Sequence, residues 1–219
     1  MKIAVLIAAS YLVGSIPFGV IVGRALRGVD VRRYGSGNIG FSNVFRVLGP
    51  GVASLVLAGD VVKGFAPVAV ARVLLRGWGT PEPELWLLAV SLAPILGHSF
   101  SVFLGFRGGR AVATGGGTLL GLAWPSALVA LLVWLAAVGA TRYISVGSMF
   151  AAAAVPVYFA LAGARWEWGA FWTGVAALVI ARHIPNLGRL LQGTEAKIGQ
   201  RVEAEPGRGE VGEDDDSTA

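Results

Sequence analysis

The sequence predicts an all-α integral membrane protein with seven transmembrane helices, its N-terminus outside and its C-terminus cytoplasmic. Three observations predict this. Hydrophobic residues make up 55% of the 219-residue chain and charged residues only 14%, where a soluble domain carries about 25% charged residues. The apolar residues fall in long blocks rather than in amphipathic stripes, so the solvent they match is lipid. Arginines collect in alternate connections between the blocks, the pattern of cytoplasmic loops under the positive-inside rule.

Apolar blocks run over about 3–23, 52–71, 85–104, 111–141, 144–162 and 166–181. A spanning helix needs about 20 residues, so the block 111–141 is too long for one. It contains Trp124-Pro125, and proline suits a helix start better than a helix interior. The block therefore divides into a short helix near 111–123 and a second near 126–141. The short one reaches only about 20 Å, less than the ~30 Å hydrocarbon core, so its end is expected among other helices.

Charge tests this division. With seven helices, the inside connections hold Arg24, Arg27, Arg32, Arg33 and Arg46, then Arg107 and Arg110, then Arg142, and finally Arg182 and Arg189. The outside connections carry offsetting charges, Arg72 and Arg76 with Glu82 and Glu84, and Arg165 with Glu167. Six helices would place Arg182, His183 and Arg189 opposite the other arginine loops. Residues 1–199 read as one membrane domain. Residues 200–219 hold Arg201 and Arg208 against four Glu and three Asp and have no apolar period, so they are expected to form a disordered acidic cytoplasmic tail. Met1–Val22 has one lysine and reads as a membrane helix rather than a cleavable signal.

Composition excludes several chemistries. The chain has no cysteine and two histidines, which leaves no disulfide, thiolate site or cysteine nucleophile and poor means to hold zinc. The arginines sit at the ends of apolar blocks rather than on one polar face, which argues against nucleic acid and for lipid headgroups and anionic substrates.

Four polar clusters are candidates for chemistry. The first is Tyr34-Gly35-Ser36-Gly37-Asn38-Ile39-Gly40-Phe41-Ser42-Asn43, followed by Arg46. Its glycines let backbone N–H groups point into one concavity, Ser42-Asn43 can open a helix that favours phosphate, and Arg46 can close on an anion. A plain surface turn explains the glycines equally well. The second joins Gly97-His98-Ser99 to Arg107-Gly108-Gly109-Arg110 and Thr114. Two guanidinium groups on flexible backbone suit phosphate oxygens, although such arginines also simply fix topology. The third is Arg182-His183-Ile184-Pro185-Asn186 with Arg189 and Glu195. His183 is the natural general-base candidate, although a histidine that only marks the membrane boundary fits the same pattern. The fourth is Asp60 with Lys63 inside the second span. Their i, i+3 spacing favours an internal ion pair, and Lys63 can also lend positive potential to a buried phosphate. An anion transporter would carry basic loops too, but it predicts polar groups through the membrane depth, whereas these clusters gather mainly on one face.

Together the clusters resemble the bacterial acyl-phosphate:glycerol-3-phosphate acyltransferase family. The matching stretches are GSIPFG (14–19), VDVRRYGSGNIGFSNVFRVLG (29–49), DVVKGFAPV (60–68), GHSFSVFLGFRGGRAVAT (97–114), RYISVGS (142–148) and RHIPNLGRLLQGTEAKIG (182–199), in family order and spacing. The resemblance covers residues 1 to about 199. It implies seven helices and a reaction at the cytoplasmic face of a bacterial inner membrane. An acyl phosphate, not acyl-CoA, acylates the C1 hydroxyl of sn-glycerol 3-phosphate to give lysophosphatidic acid and phosphate. It also implies that no metal or cofactor is needed, and functional coupling to the enzyme that forms the acyl phosphate.

Carried over by position, Ser36, Arg46, Arg110, His183 and Asn186 are the expected catalytic set. Gly37, Asn38, Gly40, Ser42, Asn43, Lys63, His98, Arg107, Thr114 and Glu195 are expected to bind substrate phosphate or support its site. Three departures stand out. Phe41-Ser42-Asn43 replaces Ala-Thr-Asn, Arg107 and Arg110 replace lysines, and Ala111 replaces a glycine. The last matters if the backbone there has positive φ.

Overall fold

A computed structural model describes residues 1–200; the expectation for the acidic tail thus falls, apart from Gln200, outside the described residues. Among the described residues the chain is helical, with nine α-helices. These are α1 (Lys2–Ser15), α2 (Phe18–Arg27), α3 (Phe41–Gly77), α4 (Pro83–Ser99), α5 (Val112–Leu122), α6 (Trp124–Thr141), α7 (Ile144–Leu161), α8 (Trp166–Arg182) and α9 (Ile184–Leu191). Five helical segments are long and apolar enough to cross a membrane: Lys2–Arg27, Phe41–Gly77, Pro83–Leu104, Trp124–Thr141 and Ile144–Leu161. The outer surface carries large apolar side chains such as Leu55, Val62, Leu128, Leu132, Leu135 and Val157, as a lipid-facing surface does.

The first apolar block is not one helix. α1 stops at Ser15 and α2 starts after Pro17, because proline lacks an N–H and forces the preceding residue out of the helical region. The carbonyls freed by the break find donors. Lys63 Nζ donates to Ile16 O at 2.7 Å and Ser101 Oγ to Ser15 O at 2.6 Å, as irregular backbone at membrane depth requires. The division of block 111–141 falls where expected, at Ala123. α5 has only 11 residues, and Arg72 Nη2 donates to the last carbonyls Gly121 O and Leu122 O, each at 2.8 Å. An arginine from the neighbouring α3 thus caps a helix too short to reach water.

Lipid tails are as apolar as leucine, so helix association depends on close packing more than on the hydrophobic effect. Glycines permit it here. A Cβ on Gly64 of α3 would strike the Thr114 carbonyl of α5, and one on Gly117 of α5 would strike the Val61 carbonyl of α3. Gly14 and Gly97 do the same between α1 and α4. Long α3 also bends at Gly49 (φ 82°, ψ 177°) ahead of Pro50. That bend separates a short first part, which carries Asn43 and Arg46, from the long membrane part. Val31, Ile39, Val44, Val52 and Val56 form a small core beneath the 28–40 loop, and this anchors the loop on α3.

Candidate active site: an apolar groove with a cationic head

The alternation of helix direction brings the N-termini of α3, α5 and α7 to one end of the molecule. There a cavity of about 480 Å³ opens. Its head is lined by Asn38, Gly40, Phe41 and Ser42 at the start of α3, by Arg110, Ala111, Val112 and Ala113 at the start of α5, and by Ile144 and Ser145 at the start of α7. Three helix N-termini, each with backbone N–H groups lacking an intrahelical acceptor, face one space and favour anions there. Asp60, His98 and His183 complete the polar wall. Beyond the head the lining turns apolar between α5, α6, α7 and α8, with Leu119, Ala127, Leu131, Trp134, Val155, Trp172 and Val175.

Arg110 is the distinctive cation of the head. It is half-buried, and among the described residues no hydrogen bond or ion pair holds its guanidinium. Burial, then repulsion from Arg189, lowers its pKa from 12.5 to about 10, so it stays charged at neutral pH. Beside it Arg189 Nε donates to Glu195 Oε2 at 2.7 Å, and Arg46 Nη2 lies 3.6 Å from Glu195 Oε1 and donates to Ala196 O at 3.0 Å. Two guanidinium groups therefore share one carboxylate, and Arg110 stands beside them without an ion pair of its own. Glu195 also accepts from Ser145 Oγ at 2.9 Å and Asn186 Nδ2 at 2.7 Å. Burial acts to raise its pKa, but the bonds from Asn186, Arg189 and Ser145 outweigh that and hold it below the usual carboxylate range. Asn186 Oδ1, an acceptor, and Arg189 Nη2, a donor, are buried without hydrogen-bond partners; of the two only the guanidinium donor suits an anion.

His183 is 2% exposed and stands at the turn from α8 to α9. Its Nδ1 is 2.7 Å from Val179 O, so Nδ1–H donates and Nε2 remains the acceptor. Burial is the main cause that lowers its pKa from 6.5 to about 4, and the ring is neutral at physiological pH.

The sequence-predicted residues divide into groups. Asn38, Gly40, Ser42, His98, Arg110 and His183 line the cavity. Arg46, Asn186 and Glu195 form the ion cluster joined to it through Ser145. Others hold the scaffold. Asn43 accepts from Ser36 N at 2.8 Å and Ser36 Oγ at 3.2 Å and donates to Val31 O and Tyr34 O at 2.9 and 3.2 Å. Its amide therefore braces the loop rather than facing the cavity. Lys63 is spent on Ile16 O and on Asp60 Oδ1, both at 2.7 Å. Thr114 Oγ1 bonds His98 Nδ1 at 3.1 Å, beside Asp60 Oδ1 at 3.6 Å from the same nitrogen. Gly37 and Arg107 lie at a separate polar recess with Arg24, Arg32 and Arg33. Ser145 was not singled out from the sequence; the available signal was Ser145 and Ser148, one turn apart at the start of an otherwise apolar helix.

The model of the family "Glycerol-3-phosphate acyltransferase" matches residues 4–193. The chain belongs to the glycerol-3-phosphate acyltransferase family. It is 47% identical over 194 residues to the glycerol-3-phosphate acyltransferase of Geobacter sulfurreducens, covering 89% of this chain and 96% of that one. It is 46% identical to that of Gloeobacter violaceus over 193 residues, covering 88% and 93%. Among solved structures it is similar to PlsY (YgiH), an integral membrane glycerol 3-phosphate acyltransferase, in its glycerol 3-phosphate form. That match has a TM-score of 0.83 and 37% identity, over 91% of this chain and 96% of that one. The lysophosphatidic acid form of the same protein gives a TM-score of 0.81 and 36% identity, over 91% and 97%. The protein is thus an acyltransferase and, with its apolar helices, a multi-pass membrane protein.

Proposed function

We propose that this acyltransferase moves an acyl group from an acyl phosphate to the C1 hydroxyl of sn-glycerol 3-phosphate, at the cytoplasmic face of a bacterial inner membrane. The carrying observation is one cavity with a cationic head and an apolar body. The head suits two phosphate groups, and the body suits an acyl chain. Seven spanning segments with the N-terminus outside are part of this reading, α5 and α8 adding to the five long ones. So is a supply of substrate by the acyl-phosphate-forming enzyme.

The chemistry needs positioning more than activation. An acyl phosphate carries its own leaving group, so the protein must hold two anions and place the hydroxyl about 3–3.5 Å from the acyl carbon. Arg110, Arg46 and Arg189 offset the repulsion between the phosphates. The C1 oxygen attacks the acyl carbon, the acyl C–O bond to phosphate breaks, and inorganic phosphate leaves. N–H groups at the head, or Asn38, stabilise the oxyanion that forms between these events.

The hydroxyl proton goes to a phosphate oxygen of the donor. His183 Nε2 orients the hydroxyl as an acceptor, but an imidazole lowered to about 4 is a weaker base than a phosphate whose second pKa lies near ~6. Turnover should therefore survive His183→Ala in measurable amount; complete loss with folding and donor binding intact would assign the proton to the histidine.

The test is acyl transfer by the purified protein with radiolabelled glycerol 3-phosphate. Palmitoyl phosphate and palmitoyl-CoA are compared without added metal. Lysophosphatidic acid from the phosphate donor alone supports the reading. Product from the CoA donor alone would overturn the donor assignment, and absence of product from both, with flux of glycerol 3-phosphate into sealed vesicles, would point to transport instead.

A further inference from the structure

Arg110 makes no hydrogen bond with any described residue, so its direction is set by the backbone on either side of it. On its C-terminal side Ala111 adopts a left-handed conformation (φ 58°, ψ 18°) and opens α5. On its N-terminal side stand Gly108 and Gly109, which have no side chains to anchor them. This segment is held from two sides. On one side lies His98 of α4. Gly109 N donates to His98 O at 3.0 Å, and a Cβ on Gly108 or Gly109 would strike the His98 carbonyl or ring. On the other side lies Arg182, the last residue of α8. Its Nη2 donates to Gly108 O at 2.7 Å and its Nε to Gly109 O at 3.1 Å. The guanidinium plane rests over Phe100 at 5.6 Å.

We propose that Arg182 is a positioning residue for Arg110, its planar fork splinting the Gly108 and Gly109 carbonyls so that Arg110 faces the head of the cavity. In the sequence Arg182 stands in the third polar cluster with no role of its own. The geometry makes it a tie between two parts of the site, because the next residue along is His183. One side chain thus fixes the separation between the phosphate-facing guanidinium of Arg110 and the acceptor Nε2 of His183. Among the described residues, Arg182 is the one side chain that bonds to either glycine. A lysine offers a point charge and flexible stem in place of two parallel donors, so it can hold one carbonyl but not both in register. The proposal rests on the reading of Arg110 as a ligand for substrate phosphate.

The experiment compares Arg182→Lys in two backgrounds, the native protein and Arg110→Lys, by kcat/KM for acyl transfer and by melting temperature in detergent. With native Arg110, Arg182→Lys is expected to lower kcat/KM at least tenfold, toward the ~100-fold that a 1 Å misplacement can cost. The KM that rises should be that of the same substrate whose KM rises in Arg110→Lys. In the Arg110→Lys background, where the flexible lysine stem depends less on the backbone beneath it, the same change is expected to cost far less. The melting temperature should fall equally in both backgrounds, which separates positioning from folding. Losses that agree within about twofold in the two backgrounds, the mark of independent sites, would overturn the proposal, as would an unchanged kcat/KM with native Arg110. If Arg182→Lys fails to fold, Arg182→Gln, which keeps one N–H donor group, serves in its place. Arg110→Ala alone tests the underlying reading: full activity there would refute the role of Arg110 itself, whatever Arg182 does.

Discussion

Two charged clusters stand within this fold, and they differ in balance. Asp60, Lys63, His98 and Thr114 lie between α3, α4 and α5, each at most 3% exposed. Asp60 and Lys63 are paired at 2.7 Å, and Lys63 also satisfies the carbonyl left open by the break before α2. The second cluster joins Arg46, Arg110, Arg189, Glu195 and Asn186. It has one carboxylate for three guanidinium groups, of which Arg110 makes no ion pair, and a buried guanidinium donor, Arg189 Nη2, without a partner. Both consist of expensive charges in a low-dielectric place. In the first, Asp60 and Lys63 form a closed ion pair that supports the helices, although Asp60 and His98 also line the cavity and Asp60 Oδ1 makes no hydrogen bond. The second carries excess positive charge, which under the proposed function the substrate phosphates offset. Under the proposed function, balance of charge distinguishes scaffold from site.

The largest effect should come from the open cluster. Arg110→Ala removes the unpartnered cation and is expected to lower kcat/KM about 10²–10³-fold, the range for loss of one preorganised electrostatic group. The melting temperature should barely change, because no bond within the protein is broken. An acyl-transfer assay beside a melting curve checks this.

The closed cluster should show the opposite. Lys63→Met leaves Asp60 buried without its counter-charge, which costs about 3–5 kcal/mol of stability. A large fall in melting temperature is expected; an unchanged one would show that Asp60 is not held by Lys63.

A smaller effect concerns pH. Folded His183 takes up its proton near pH 4, the unfolded imidazole near 6.5. Across that window the unfolded chain binds more protons, so stability falls as pH drops from 6.5 toward 4. His183→Gln should flatten the melting temperature over this window, and an unaltered slope would show that His183 is not buried as a neutral ring.

The smallest effect is at Ala111. A non-glycine residue in the left-handed region costs about 1 kcal/mol. Ala111 is also buried in the core, and losing its methyl costs about 0.8 kcal/mol, so Ala111→Gly is expected to leave the melting temperature nearly unchanged. A large fall, as at a buried alanine with ordinary helical backbone, would contradict the left-handed conformation.

Much of this was legible in the sequence. Apolar blocks located the helices, and Trp124-Pro125 located the division between α5 and α6. The six motifs named the residues at the head of the cavity, and the replaced glycine at 111 pointed to the positive φ that the backbone adopts. What escaped depended on contacts distant in sequence or on helix phase. Ser42 and Asn43 are neighbours, yet a helical step of about 100° turns one toward the cavity and the other under its loop. Lys63 looked available to a phosphate because its partner, the Ile16 carbonyl, exists only where Pro17 breaks a block that reads as continuous. The link from Arg182 to the two glycine carbonyls spans residues far apart in the chain, and no local pattern reports it.

The most direct measurement is on the double variant Asp60→Asn/Lys63→Met, which removes both charges of the closed pair together. Turnover per folded protein and melting temperature are measured beside Arg110→Ala. The double variant is expected to keep most of its turnover and to melt higher than Lys63→Met alone, while Arg110→Ala melts normally and hardly turns over. A double variant that folds yet loses turnover as far as Arg110→Ala would place the buried pair in the chemistry and contradict the division between scaffold and site.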